Sequence, residues 1–159
     1  MITYLIDGNN VIGKDRQLNK IHKNDPTASR EGLVFRVDRW AASKKIKVVI
    51  FFDGHPKTAI NSTSAEIRYS GNKAADELIK SAIDHQRNTL NVFVISSDTE
   101  VFNYARVSRC NPVLSEEFCK SLDTNGPRGE EEQTINRLSR SNSEFLDLFL
   151  NSGGNKNED

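Results

Sequence analysis

Three times in this chain a run of β-branched and aromatic residues stops at or just before an aspartate. Ile2-Thr3-Tyr4-Leu5-Ile6 runs into Asp7-Gly8-Asn9-Asn10, Val48-Val49-Ile50-Phe51-Phe52 into Asp53-Gly54, and Val92-Phe93-Val94-Ile95 into Ser96-Ser97-Asp98. Such runs read as strands, and Gly, Asn and Ser after them read as turns. One aspartate after one strand is often only a turn former, because its side chain bonds backbone two residues on. The recurrence is what constrains the chain. If the strands are parallel, their carboxyl ends face a common crevice, and all three acids are delivered to it.

The segments between these runs have helical spacing. Asp25-Pro26 is a helix start, with Asp as cap and Pro in the first turn. Leu33, Val34, Val37, Trp40 and Ala41 then form one apolar stripe, in which Trp40 is a core residue. Residues 65–70 make a short strand with Ile67 and Tyr69 on one face. Residues 73–87 make a helix with Leu78, Ile79, Ala82 and Ile83 buried, and Asp76 in its first turn shares the face of Ile79 and Ile83. An acid there favours the helix dipole wherever it points; one that looks inward joins the crevice. Ser97 and Glu100 match an S-x-x-E capping box, which assigns Glu100 to a helix terminus. Residues 14–24 are polar and lysine-rich and read as a loop or short irregular helix, whereas Pro112-Val113-Leu114 is a last strand and Ser115 caps a helix holding Phe118, Cys119 and Leu122.

Alternating strands and helices imply an α/β fold, three α/β/α layers around a central parallel sheet of about five strands with right-handed crossovers. The expected organisation is one domain over residues 1–122, a polar linker over 123–143, a short apolar segment over 144–150 and a disordered tail over 151–159. Lys and Arg total 22 and Asp and Glu total 22, so no global field draws the protein onto a polyanion. Cys110 and Cys119 give neither a disulfide framework nor a metal-ligand pair. With no apolar run of membrane-spanning length and no signal-peptide layout, the expectation is a soluble cytoplasmic protein.

Asp7, Asp53, Asp76 and Asp98 in one crevice repel one another: a like-charged pair at ~4 Å costs about 4 kcal/mol at an effective dielectric of about 20. Such a cluster binds cations, takes up protons or spreads apart. Oxygen ligands without suitably spaced His or Cys favour Mg2+ or Mn2+ over zinc, and Mg2+ sites are commonly completed by substrate phosphates. That points to phosphoryl chemistry. The chain lacks the G-x-G-x-x-G of a dinucleotide-binding turn and has no P-loop. A dehalogenase-type phosphatase would have an acid where Asn9 stands, and a receiver domain would have paired acids at the first strand.

Tyr4-Leu5-Ile6-Asp7-Gly8-Asn9-Asn10-Val11-Ile12-Gly13, Val49-Ile50-Phe51-Phe52-Asp53-Gly54-His55, Gly71-Asn72-Lys73-Ala74-Ala75-Asp76 and Val94-Ile95-Ser96-Ser97-Asp98 resemble the NYN branch of the PIN-like nucleases, and within it the YacP-like family, over residues 2–122. The first motif departs in carrying Asn9 where that family often has an aromatic residue. The resemblance implies a metal-dependent endoribonuclease using Mg2+ or Mn2+. Asp7, Asp76 and Asp98 would be its metal-site acids, Asp53 a further catalytic acid, and Asn10 the residue positioning a phosphate or an acid. Ser97 and His55, beside the acids, are candidate substrate contacts. The partner implied is RNA, mRNA on the ribosome in some members, where the ribosome's delivery of the substrate would suit a chain of zero net charge. The rival expectations are a catalytically silent RNA- or ribosome-binding module and, further off, a phosphotransfer receiver accepting phosphate at Asp53.

Overall fold

A computed structural model describes residues 1–124. The linker, apolar segment and tail expected beyond residue 122 lie outside those residues, apart from 123 and 124. The chain divides into two compact units, 1–119 and 120–159, and the account below concerns the first.

Its elements are β1 (Ile2–Asp7), α1 (Gly8–Lys14), α2 (Arg16–Asn24), α3 (Pro26–Ala41), β2 (Ile46–Phe52), β3 (Ala65–Tyr69), α4 (Ala75–Asp84), β4 (Val92–Ile95), α5 (Thr99–Val107), β5 (Asn111–Val113) and α6 (Ser115–Thr124). The five strands form one parallel sheet in the order β3-β2-β1-β4-β5. The chain therefore builds outward from β1 on one side, returns, and builds outward on the other. Asp7 ends the central strand at the point of that reversal, which in open parallel sheets is where ligands bind.

Strand alternation sorts the side chains onto two faces. Leu5, Val49, Phe51, Val92 and Val94 pack with Ile79, Ala82 and Ile83 of α4 and with Val101 and Ala105 of α5. On the other face Tyr4 stacks on Phe93 with centroids 4.9 Å apart, meets Trp40 of α3 edge-on at 4.9 Å, and Trp40 meets Phe118 edge-on at 5.1 Å. Trp40 is a core residue, as its place in the α3 stripe predicts. Asp7 shares the parity of Leu5, so it projects toward α4 and α5.

Two expectations are corrected here. Gly8-Asn9-Asn10 is not a turn but the start of α1, which follows β1 without a linker. A Cβ on Gly8 would lie 2.5 Å from Phe52 Cε1 and 2.7 Å from the Phe51 carbonyl oxygen, so only glycine lets the backbone cross the end of β2 this closely. Residues 16–24 form a regular helix rather than a loop or an irregular one: Asp15 caps it, accepting from the Leu18 N–H at 2.9 Å, and Leu18 is buried. Leu18 and Ile21, its two apolar residues, stand three apart on one helical face in an otherwise polar segment. At α3 the Asp25-Pro26 start is as expected, with Asp25 accepting from the Ala28 N–H at 3.1 Å.

Candidate active site

Asp7, Asp53, Asp76 and Asp98 all lie at the carboxyl edge of the sheet, on β1, just past β2, in the first turn of α4 and at the N-cap of α5. Asp7 is buried, at 8% exposure. One of its oxygens accepts from the Ser96 hydroxyl at 2.8 Å, and that hydroxyl in turn accepts from the Asp98 N–H at 3.0 Å. A single serine thus ties the ends of β1 and β4 together. Asp98 caps α5 through one oxygen, Oδ1, which accepts from Glu100 and Val101 N–H at 2.9 and 3.1 Å. Asp53 Oδ1 accepts from the Ala75 N–H at 3.0 Å, which fixes the start of α4 against the end of β2. In Asp76 the pattern is reversed: its Oδ1 is buried and has no hydrogen-bond partner among the described residues, a costly arrangement for a carboxylate oxygen unless something else satisfies it.

The electrostatics follow. Burial pushes the Asp7 carboxyl up to about 6, the charges of Asp53 and Asp98 push the same way, and the Ser96 hydroxyl and Asn10 N–H oppose them. The mutual repulsion expected of clustered acids is thus felt at Asp7. Lys80, one turn beyond Asp76 on α4, forms an ion pair with Glu100 at 2.5 Å, and the hydrogen bond to Glu100, more than the charges of Glu100, Asp76 and Asp98, holds its ammonium above the usual lysine range. Among the described residues no three His, Cys, Asp or Glu side chains are gathered closely enough to hold a metal ion as they stand.

Two asparagines that follow Asp7 act as clamps. Asn9 Oδ1 accepts from the Asp53 N–H at 2.8 Å, so it holds the turn after β2. Asn10 Oδ1 accepts from the Ser97 N–H at 2.8 Å and from the Ser115 hydroxyl at 2.6 Å, so it holds the turn after β4 and the start of α6. Asn10 therefore positions the segment that carries Asp98. The Ser97 hydroxyl donates to the Glu116 carboxylate and accepts from the Ser115 N–H at 2.9 Å; with its hydroxyl so committed, Ser97 braces β4 against α6. The predicted Ser97–Glu100 capping box does not form. Asp98 is the N-cap, one residue later, and its short carboxylate reaches the two N–H groups, while Glu100 turns to Lys80. His55 is exposed beside the crevice, its Nε2 3.2 Å from Asn72 Oδ1.

Sequence reasoning missed Asn9, Ser96, Ser115 and Lys80. The first three act through bonds that join residues 18 to 105 positions apart in the chain, a relation that spacing within a motif does not encode. Lys80 was findable, four residues after Asp76 and so on the same helical face.

A model of the YacP-like NYN domain matches residues 4–152. The chain belongs to that family, a branch of the PIN-like nucleases. Its fold is that of Rae1 (YacP) from Bacillus subtilis, with a TM-score of 0.69 at 22% identity over 96% of this chain and 88% of that one. The W164L mutant of the same protein superposes with a TM-score of 0.68 at 21% identity, over 89% and 83% of the two chains. No curated protein matches the chain. The family resemblance carried by the four motifs and the expected α/β architecture with a five-stranded parallel sheet are both borne out. Among the described residues no helix is long and apolar enough to cross a membrane.

Proposed function

We propose that this member of the YacP-like NYN family is a divalent-metal-dependent endoribonuclease. The observation that carries the reading is the convergence of acids on the end of the central strand, where Asp7 is buried and feels the charges of both Asp53 and Asp98. Clustered carboxylates with no lysine or arginine bonded directly to them among the described residues call for a cation from outside. The donor chemistry suits Mg2+ or Mn2+, both of which take carboxylate oxygens, and the unpartnered buried oxygen of Asp76 is a ligand atom with nothing to do in the metal-free protein. Asp7, Asp76 and Asp98 are the residues assigned to hold the ion. When bound, such an ion lowers the pKa of a coordinated water and neutralises charge at the phosphate.

The protein's own part is positioning. Ser96 fixes the rotamer of Asp7 and the backbone of Asp98 at once; Asn10 fixes the turn between them. Asp53, tethered to α4 through one oxygen, stands on the opposite side of β1 and is assigned as the further catalytic acid, placed to hold or receive a proton near the reacting phosphate. His55 is assigned to the substrate strand, and Asn10 and Ser97 support that site from beneath. The substrate is RNA, and messenger RNA presented on the ribosome suits a chain of zero net charge, because a substrate delivered by the ribosome needs no global positive field to gather it. Cytoplasmic residence goes with that substrate.

A single-stranded RNA labelled at both ends, incubated with the protein in Mn2+, in Mg2+ and in EDTA, tests this. Internal cuts are expected with either ion, none in EDTA, and a loss of at least a hundredfold in Asp76→Asn, on the scale of removing one group that stabilises transition-state charge. Cleavage in EDTA would refute the metal, and an uncut RNA in Mn2+ would leave the rival reading, an RNA- or ribosome-binding module with a silent crevice. One observation favours that rival: the acids are not assembled as a three-ligand group among the described residues.

A further inference from the structure

Across the end of β2 from the acids lies a cation that has no counter-ion among the described residues. Arg30, on α3, spreads its guanidinium over the Phe52 ring at 5.2 Å and beside the Tyr69 ring at 6.0 Å, and donates from Nη2 to the Asp53 carbonyl oxygen at 3.0 Å. Its Nε is buried with no partner. Of five N–H donors, that single backbone bond is the one made among the described residues, and no carboxylate there pairs with the charge. The carboxylate of the same Asp53 turns its Oδ1 to the Ala75 N–H instead. A guanidinium held only to steady a carbonyl would be replaceable by an uncharged donor; this one packs against two aromatic rings and meets no carboxylate among the described residues.

Tyr69 completes the wall. It pairs with Phe52 in the β2–β3 register, the two rings are 5.9 Å apart and tilted by 36°, and Tyr69 is half-buried, so one part of its ring faces outward. Burial raises its hydroxyl above the usual range while Arg30 opposes the shift, as expected for a ring packed beside a cation. Alternation puts Phe52 and Tyr69 on the α3 side of the sheet and Asp7 on the α4 side. A polymer that crosses the carboxyl rim therefore meets Arg30 and Tyr69 on one side of β2 and the acids on the other.

We propose that Arg30 and Tyr69 form a subsite for the RNA strand next to the bond that is cut, the guanidinium taking a phosphate and the tyrosine ring a nucleobase by stacking. This rests on the nuclease reading above and extends it to a substrate contact on the far side of Asp53. Guanidinium recognises phosphate as a forked donor, and stacking on an aromatic ring is tolerant of base identity, so the subsite grips the strand and carries little sequence preference.

The test is binding of a fluorescein-labelled single-stranded RNA in EDTA, read by anisotropy over a salt series, for full-length wild type, Arg30→Met, Arg30→Lys, Tyr69→Leu and Tyr69→Phe. Arg30→Met is expected to weaken binding about tenfold and to flatten the slope of log affinity on log salt by about 0.7, the signature of one lost phosphate contact on a single strand. Arg30→Lys keeps the slope. Tyr69→Leu weakens binding roughly tenfold without changing the slope, and Tyr69→Phe binds as wild type does. If Arg30→Met does not fold, as circular dichroism will report, the Tyr69 pair and Arg30→Lys decide. Wild-type affinity and slope in Arg30→Met, an unchanged slope with affinity lost, equal losses in both Tyr69 variants, or no binding by the wild type would each overturn the subsite. The two readings fail separately. RNA held with the expected losses but never cut in Mn2+ removes the nuclease and keeps the subsite; RNA cut normally and bound unchanged by Arg30→Met does the opposite.

Discussion

On the β1–β4 side of the crevice Asp7 and Asp98 sit in a closed set of bonds: Ser96 joins them, Asn10 holds the turn between them, and Ser97 and Ser115 lock that turn to α6. On the β2–β3 side Asp53 is exposed, its N–H bonded to Asn9, its carboxylate to α4 and its carbonyl to Arg30, and the chain that follows leaves through Gly54 at φ +80°. Gly71, at φ +67°, closes that loop from the other end, its N–H donating to the Gly54 carbonyl at 2.8 Å. Farther out, Asp38 of α3 pins the loop by accepting from the Ser62 hydroxyl and the Thr63 and Ser64 N–H groups. One side is ordered by a set of side-chain bonds in which Asp7, Ser96 and Ser115 are buried; the other is ordered at the margins, by loop backbone and an arginine packed on aromatic rings. If the crevice takes an RNA strand as proposed, the bonded side suits the groups whose spacing has to be fixed, and the open side suits those that meet the strand.

The comparison breaks most readily at the asparagines. Asn10→Ala strips the acceptor from two donors, the part-buried Ser97 N–H and the Ser115 hydroxyl, and should cost about 2–4 kcal/mol; Asn9→Ala strips one from the exposed Asp53 N–H and should cost about 1 kcal/mol or less. Urea denaturation of the two variants measures the difference, and equal losses would mean that the two sides are equally rigid.

Asp7 gives the next largest effect. Its carboxyl titrates near 3.8 in an ordinary setting and about 6 when folded, so the folded protein binds more protons between those values. Stability is then greatest below pH ~4 and is lost as pH rises through ~6, by about 3 kcal/mol in the metal-free protein. Asp7→Asn retains an acceptor for Ser96 and removes the charge. It should melt higher than wild type at pH 7 in EDTA, with a flat profile across that window, and should not cut RNA; a lower midpoint would show that the second oxygen's bonding outweighs the repulsion.

Added Mn2+ sharpens the same contrast from outside. A millimolar concentration should raise the melting midpoint of the wild type by binding the folded state, and should do so less in Asp76→Asn. The smallest effect belongs to Lys80→Gln. The Lys80–Glu100 pair is at the surface, where such pairs contribute little, so the midpoint in EDTA should hardly move, while the Mn2+-induced rise should grow slightly because a positive charge beside Asp76 and Asp98 has gone.

What could be read from the sequence was what repeats locally. Runs such as Val48-Val49-Ile50-Phe51-Phe52 declare strands, and the acid after each declares where the strand stops, so the sheet and the four aspartates were legible before any coordinates. Asp76 was legible as inward-facing because Ile79 and Ile83 share its helical face. The supports were not. Asn9 looked like a departure from a motif and turns out to hold Asp53; Ser97 and Glu100 fit a capping pattern that Asp98 pre-empts; Arg30 and Tyr69 lie in segments with no motif at all. Each of these depends on what the tertiary fold brings alongside, and side chains of such residues compete for partners that a local pattern cannot rank.

Asn10 has one oxygen serving two elements that follow it by 87 and 105 residues. Chains are made from the N-terminus, and the early strands can pair as soon as they emerge, but this atom waits for nearly the whole domain before both of its donors exist. Until the start of α6 arrives, the turn bearing Asp98 lacks half of its anchor, and the acid pocket is incomplete. A half-made copy would therefore carry its aspartates without being able to use them, a safeguard for any protein synthesised in the midst of the RNA it is proposed to cut.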